Sequence, residues 1–314
     1  MTQPPAVLML VSSDFVAARH RLLREMAPHL RVVTDLEQCD PTDVDSLFAF
    51  KLPDGIAGRL PNLKLAASVG AGADGLLSAR DLAPGVAVTR VVEPGLGFSM
   101  AQYVSYHLLR HFRHFAAFET QQRNAEWTRQ PIPDARQFTV GLMGVGEIGR
   151  AVAQALQPLG FKLAGWTRSG RPVEGIAAMH GGADGLQPFL SSVDCLVCLL
   201  PFTADTRGLM TAQRLSQLKR GAFVVNAARG GIVDEAALLE LIHTGHIAGA
   251  AFDVFETEPL PPDSPWWRHP RMAVTPHVAA QPSVEAAVRQ FIDNLERLRQ
   301  GQPLLHTVDR STGY

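Results

Sequence analysis

Three polar side chains in the second half of this 314-residue chain follow apolar runs that read as strands. Arg229 comes after Val224-Val225-Asn226, in the segment Asn226-Ala227-Ala228-Arg229-Gly230-Gly231. Glu258 stands in Asp253-Val254-Phe255-Glu256-Thr257-Glu258-Pro259, and His277 in Val274-Thr275-Pro276-His277-Val278. Singly, each has a plain reading: a surface charge, a turn before proline, a loop histidine. An arginine, a carboxylate and a histidine placed after consecutive strands of one sheet are instead groups suited to a redox site, because ligands on a parallel α/β sheet lie beyond the carboxyl ends of its strands.

A fourth segment says what such a sheet would bind. Phe138-Thr139-Val140-Gly141-Leu142-Met143 reads as a buried strand and runs into Gly144-Val145-Gly146-Glu147-Ile148-Gly149, a G-x-G-x-x-G turn with helical spacing behind it up to Pro158-Leu159-Gly160. Glycines there allow a tight turn, close approach of a pyrophosphate to the backbone, and packing of helix on strand, while the helix N-terminus offers unpaired N–H groups. The next strand, Phe161 to Trp166, should end in an acid that binds the adenosine ribose hydroxyls. Thr167 stands at that point, 18 residues past Gly149, followed by Arg168-Ser169-Gly170-Arg171. No carboxylate repels a 2′-phosphate, and the guanidinium groups of Arg168 and Arg171 suit one, so the expected cofactor is NADPH, with NADH the weaker alternative.

The elements that must position these residues alternate. Strands are expected at 138–143, 161–166, 193–199, 222–226, 248–253 and 272–275, with helices at 211–218 and 234–244 among them, which implies a parallel, doubly wound sheet. The first hundred residues carry a shorter α/β pattern, with strands at 6–11 and 63–68 and a helix at 15–26 between. The second strand ends in Val69-Gly70-Ala71-Gly72-Ala73-Asp74-Gly75, which lacks a third glycine at dinucleotide spacing; it is either a small-anion loop or a plain turn. Met100 to Ala117 reads as one long helix, with His107, His111 and His114 on one face. Arg110 and Arg113 beside them disfavour a metal, so no metal site is expected.

Length allows two domains. With 46% hydrophobic and 19% charged residues and a net charge of −1, nucleic acid and an anionic membrane are not expected partners. Apolar runs are too short to cross a bilayer, and the first apolar stretch has no basic segment before it, so a cytoplasmic protein without a signal peptide is expected. Three cysteines do not make a disulfide framework. Cys195 and Cys198 have C-x-x-C spacing but sit in a strand-like run, where residues three apart point to opposite faces; they are expected to be structural.

Taken in order, the glycine turn, Leu200-Pro201-Phe202-Thr203-Ala204-Asp205-Thr206-Arg207-Gly208, the arginine after Asn-Ala-Ala, the glutamate before proline and Thr-Pro-His resemble the D-isomer-specific 2-hydroxyacid dehydrogenase family over nearly the whole chain. Trp166-Thr167-Arg168-Ser169, Leu260-Pro261-Pro262-Asp263-Ser264-Pro265 and the terminal Val308-Asp309-Arg310-Ser311-Thr312-Gly313-Tyr314 resemble its glyoxylate/hydroxypyruvate reductase A branch. The resemblance implies two Rossmann-like α/β domains with a cleft between, residues 1–98 plus 279–314 being the substrate domain and 99–278 the dinucleotide-binding domain. It implies a homodimer that reduces a small 2-oxo acid, glyoxylate or hydroxypyruvate. Arg229 would bind substrate carboxylate and keto oxygen, His277 would be the acid/base, Glu258 its partner, and the Ala71 and Gly72 backbone a second carboxylate contact. Gly144, Gly146, Glu147, Ile148, Gly149, Thr167, Arg168, Pro201, Thr206 and Ala227 would face the cofactor, with Asp253 on the nicotinamide amide. The roles are chemically consistent: Arg229 can neutralise a developing alkoxide, and Glu258 favours the protonated His277 that donates to it. Two segments depart from the pattern: Gln102, where relatives often carry glutamate, and Ala49 to Leu52, which leaves substrate size open. The rival reading is a dinucleotide-sensing, corepressor-like binding protein without significant turnover.

Overall fold

A computed structural model describes residues 5–10 and 13–313. The chain divides into two compact units, Met1–Glu93 with Gln281–Tyr314, and Pro94–Ala280. The first contains β1 (Ala6–Leu10), α1 (Ser13–Met26), β2 (Arg31–Val33), β3 (Val44–Ala49), β4 (Leu65–Ser68), α2 (Asp74–Leu77) and β5 (Ala87–Thr89). The second contains α3 (Pro94–Phe112), α4 (Phe115–Arg123), β6 (Thr139–Met143), α5 (Glu147–Leu156), β7 (Lys162–Thr167), β8 (Ala178–Gly181), α6 (Leu186–Ser192), β9 (Cys195–Cys198), α7 (Ala212–Leu215), β10 (Ala222–Asn226), α8 (Glu235–His243), β11 (Ile247–Phe252) and β12 (Met272–Val274). The chain then returns to the first unit in α9 (Val284–Arg299).

Both sheets are parallel throughout. The first has the order β2-β1-β3-β4-β5. Its central strands are mostly apolar because both faces are covered, one by α1 and α9 through Leu23, Val288, Phe291 and Leu295, the other by α2 and short turns through Leu76, Leu36 and Leu60. The expected end of the first strand, Val11, lies outside the described residues. The second sheet has the order β8-β7-β6-β9-β10-β11-β12, again all parallel. From β6 the chain builds outward on one side through β7 and β8, then returns to the other through β9. That reversal is the topological switch point of a Rossmann sheet.

Local sequence explains the helices that frame this point. Helix α5 buries Gly149, Val152, Ala153 and Leu156, spaced by three, one and three residues, so one stripe faces the sheet. Asp234 caps α8 by accepting from the Ala237 N–H at 3.0 Å, and Ser283 caps α9 through the Ala286 N–H at 3.0 Å. Cys195 and Cys198 are both buried on β9 and pack into opposite cores, one on each face of the sheet. Burial pushes both thiols up, Cys198 to about 12, which leaves them inert apolar packing.

The region 94–123 departs from expectation. The helix starts at Pro94, which suits a first-turn position, and stops at Phe112 rather than running to Ala117. The His114 N–H reaches only to the His111 carbonyl at 3.0 Å, and His114 takes a left-handed conformation with φ 59, so the ladder breaks and α4 starts afresh. The three histidines therefore do not share a face. His114 is exposed, His107 is 5% exposed between the rings of Tyr103 and Tyr106, and His111 stacks on Phe223 with centroids 4.4 Å apart. Burial lowers the pKa of His107 and of His111 to about 4, leaving both neutral near pH 7. Among the described residues no group of three or more His, Cys, Asp or Glu side chains is placed to hold a metal, and no helix is long and apolar enough to cross a membrane. The edge strand β8, the three-residue strands β2 and β5 and the six-residue β3 have no counterpart in the sequence pattern.

Candidate active site

The functional side chains of the second unit lie where its strands end. After β6 the chain turns at Gly144, whose φ of +100 and N–H bond to the Trp166 carbonyl (3.0 Å) fix a bend that other residues rarely adopt. A Cβ there would sit 2.9 Å from the Leu199 carbonyl oxygen, and one on Gly149 would run into the Gly144 carbonyl. These two glycines are demanded by the fold itself. Gly146 is not. It is the N-cap of α5 with an ordinary φ of −78, no side-chain cap bond, and nothing within 4 Å of where a Cβ would project. Open space over the first N–H groups of a helix, at the switch point, is the cradle a dinucleotide pyrophosphate needs. Glu147 and Ile148 form the first turn of that helix.

Thr167 ends β7, and its hydroxyl accepts from the Gly170 N–H at 3.0 Å. The Gly182 N–H donates to the Thr167 carbonyl at 3.2 Å and the Trp166 indole to the Gly182 carbonyl at 2.9 Å, so the basic loop is tied to the turn after β8. Arg168 and Arg171 are exposed on it. The fold thus places two exposed cations, and no carboxylate, in the four residues directly after the second Rossmann strand, Arg168 to Arg171.

The loop after β9 is stapled from within. The Thr206 hydroxyl donates to the Pro201 carbonyl at 2.7 Å and accepts from the Thr203 N–H at 2.8 Å, with Thr206 9% exposed. Thr206 therefore shapes the loop, leaving its exposed members such as Pro201 as the outward surface. After β10, buried Asn226 accepts from the Ala228 N–H (3.2 Å) and donates to the Arg229 carbonyl (3.0 Å), bending Ala227 and Ala228 into a turn that presents Arg229. The Ala227 N–H bonds to the Cys198 carbonyl at 3.3 Å. A Cβ on Gly230 would collide with the Phe255–Glu256 backbone, so this turn lies directly on the loop that carries Glu258.

Glu258 accepts from the Phe255 N–H at 2.9 Å through one oxygen and meets His277 Nδ1 at 2.8 Å through the other. Burial pushes its carboxyl pKa up, but the bonds from His277 and Phe255 and the positive charge of Arg229 outweigh that and hold it below the usual range. Glu258 is therefore a fixed anion at neutral pH. With Nδ1 engaged by the carboxylate, Nε2 is the nitrogen that exchanges a proton. The arrangement is an ionised carboxylate orienting an imidazole, with a guanidinium in electrostatic reach.

Asp253 is anchored within the chain. It is 2% exposed, and its carboxylate accepts from the Thr275 hydroxyl (2.6 Å) and the Val278 N–H (2.9 Å) at Oδ1 and from the Ala279 N–H (2.8 Å) at Oδ2. Three acceptor positions are thus used on the chain around His277. Sequence reasoning missed this second layer, Asn226, Thr275 and Tyr103; Asn226 and Thr275 could have been found from their adjacency to Arg229 and His277, whereas Tyr103 carries no such signal.

In the first unit, the glycine loop after β4 is held by the Ser68 hydroxyl, which donates to the Gly72 carbonyl at 2.6 Å and accepts from the Gly70 N–H at 3.1 Å. Among the described residues no acceptor in the chain takes the N–H of Ala71 or of Gly72. Two neighbouring amides left open in a turn suit a small anion.

Residues 105–279 match the family model described as D-isomer specific 2-hydroxyacid dehydrogenase, NAD binding domain. The chain belongs to the D-isomer specific 2-hydroxyacid dehydrogenases. This member is 37% identical over 298 residues to glyoxylate/hydroxypyruvate reductase A of Salmonella heidelberg (strain SL476), covering 93% of this chain and 94% of the relative. It is similar to a D-isomer specific 2-hydroxyacid dehydrogenase from Xanthobacter autotrophicus Py2 crystallised with NADPH and MES, with a TM-score of 0.89, 39% identity, and 99% and 100% of the two chains covered. The NADPH-dependent glyoxylate/hydroxypyruvate reductase from Sinorhizobium meliloti, crystallised with NADP and sulfate, gives a TM-score of 0.90 at 36% identity, again over 99% and 100%. The two-domain α/β architecture of this dehydrogenase is that of its family.

Proposed function

We propose that the protein is an NADPH-dependent reductase of small 2-oxo acids, converting glyoxylate to glycolate and hydroxypyruvate to glycerate. The observation that carries this reading is the Glu258–His277 pair, 2.8 Å apart, next to the Arg229 turn on the sheet that holds the Gly146 cradle. The reductase names and bound NADPH or NADP of the relatives support it. Gly144, Gly146, Glu147, Ile148 and Gly149 would hold the pyrophosphate, Thr167 and Arg168 the adenosine side, and Pro201 and Ala227 the neighbouring loops; when bound, NADPH supplies the hydride. Arg229 pairs with the substrate carboxylate and neutralises the negative charge that grows on the former carbonyl oxygen. His277 gives that oxygen its proton from Nε2, and the ionised Glu258 fixes the ring and steadies its protonated form. The open amides of Ala71 and Gly72 suit the same carboxylate chemistry.

A cytoplasmic homodimer fits this reading. Phe98, Tyr106, Trp127 and Ile132 are 70%, 59%, 93% and 76% exposed, all within the segment 98–132, and burial of such side chains is what drives association. Light scattering of the purified protein checks it, a monomer counting against it.

The deciding test is steady-state turnover of NADPH with glyoxylate in the wild type and in His277→Ala. The expected result is wild-type turnover and a loss of about 10²–10⁴-fold in kcat in the variant, with NADPH binding kept. No turnover of any small 2-oxo acid by the wild type, with NADPH still bound, would instead favour a dinucleotide-sensing protein.

A further inference from the structure

The histidine that donates the proton stands in an unusual backbone conformation. His277 has φ 56, the left-handed region that few non-glycine residues occupy. What holds it there is visible. The His277 N–H bonds to the Asp253 carbonyl at 2.8 Å, and the next two N–H groups, of Val278 and Ala279, bond to the two oxygens of the Asp253 carboxylate. One buried residue at the end of β11 thus grips three successive amides of the loop.

Asp253 is itself held from outside the loop. The Thr275 hydroxyl lies 2.6 Å from Asp253 Oδ1 and 2.9 Å from the Tyr103 hydroxyl on α3. An ionised carboxylate only accepts, so Thr275 donates to Asp253; its one proton is then committed, and Tyr103 must donate to Thr275. The Tyr103 ring rests on buried His107, with centroids 4.5 Å apart, which fixes where its hydroxyl sits. Burial raises the Tyr103 pKa, so the phenol keeps the proton that this direction requires. Tyr103 and Thr275 also line a surface hollow of about 510 Å³, together with Gln102, Tyr106, Arg110 and Glu119, so the line starts at the surface of α3 and ends at the His277 loop.

We propose that Tyr103 and Thr275 are positioning residues for the reaction: a one-directional hydrogen-bond line from Tyr103 through Thr275 to Asp253 holds the His277 backbone in the conformation that presents its ring. The inference rests on the reductase reading, and adds to it two residues that touch neither substrate nor cofactor. If it holds, removing a link misplaces the proton donor and leaves the cofactor cradle, formed by β6 and α5, untouched.

The experiment compares Thr275→Val, Thr275→Ser and Tyr103→Phe with the wild type, reading NADPH affinity, KM and kcat for glyoxylate, and the solvent deuterium isotope effect on kcat. Thr275→Val keeps the shape and deletes the hydroxyl; kcat should fall about 10- to 100-fold while NADPH affinity stays within about twofold. Thr275→Ser restores the hydroxyl and should recover most of kcat. Tyr103→Phe removes only the outermost donor, and kcat should fall about 3- to 10-fold. In Thr275→Val and Tyr103→Phe the solvent isotope effect should rise, because proton donation has become the harder step; loss of general stability would not produce that. Wild-type kcat in both of these variants overturns the inference, as does a Thr275→Ser enzyme as slow as Thr275→Val. Should Thr275→Val not fold, Tyr103→Phe decides, since its ring packing is unchanged. A wild type that does not reduce glyoxylate would refute the reductase reading instead.

Discussion

Replacing Gly146 by alanine separates what the fold needs from what the cofactor needs. At this position φ is −78 and a Cβ would meet nothing within 4 Å, so the substitution introduces no clash. Alanine restricts the unfolded chain, which stabilises by about 0.4–1 kcal/mol. Alanine is also a poorer N-cap than glycine, which costs a similar amount, on the order of 0.5–1 kcal/mol. The two nearly cancel, and the apo protein should melt within about 4 °C of wild type. The same methyl group enters the space over the α5 N-terminus, and NADPH affinity should fall at least about 10-fold. At a concentration 100 times the wild-type Kd, NADPH stabilises the native state by about 2.7 kcal/mol; a tenfold weaker variant gains only about 1.4 kcal/mol. The ligand-induced rise in Tm should thus be about halved while the apo Tm hardly moves. Gly149→Ala is the contrast: its Cβ would strike the Gly144 carbonyl, so the apo protein itself should lose stability. A Gly146→Ala protein that binds NADPH as tightly as wild type would refute the cradle.

Three more outcomes follow from the structure. Glu258→Gln removes the anion 2.8 Å from His277 Nδ1, so kcat should fall about 10- to 100-fold while NADPH affinity is kept; an unchanged kcat would show that Glu258 does not act on the histidine. Arg168→Ala should weaken NADPH binding by roughly 10- to 150-fold with NADH nearly unaffected, and adding Thr167→Asp should turn the preference toward NADH, as measured by kcat/KM for both cofactors. His107 is held at a pKa of about 4 by burial and by the charge of Arg110, against the pull of Asp253, whereas the unfolded side chain titrates near 6.5. Between those values the unfolded chain binds the extra proton, so this histidine's share of stability, about 3 kcal/mol, is lost as pH falls from about 6.5 to about 4. Urea midpoints measured from pH 7 to pH 4 should fall less steeply in His107→Phe than in wild type, and equal slopes would contradict the burial argument.

Much of the fold was legible because parallel strands covered on both faces are continuous apolar runs. The runs before Gly144, Arg229 and His277 stand out in the sequence, and the Rossmann order follows from their alternation with helices. Of the strands that escaped notice, Arg31–Val33 and Ala178–Gly181 are three and four residues long and partly exposed, too short for any period to show, while Asp45 and Ser46 interrupt the apolar run of the six-residue Val44–Ala49. The break at His114 was hidden because no glycine or proline marks it; histidine takes the left-handed conformation there without a local sequence sign. At the site, Arg229, Glu258 and His277 were readable as the residues just past strand ends, and the structure joins the last two at 2.8 Å. The grip of Asp253 on three amides was not readable, since it depends on where two loops fold back, and Tyr103 reaches Thr275 from 172 positions away.

The central claim is that this site moves a hydride from NADPH to the carbonyl carbon of a small 2-oxo acid while His277 supplies the proton. Incubating the wild type with glyoxylate and NADPH deuterated at the transferring C4 position, in ordinary water, and weighing the product by mass spectrometry tests it directly. The account expects glycolate carrying one deuterium on carbon. Glycolate without deuterium, or none at all from an enzyme that binds NADPH, would contradict it.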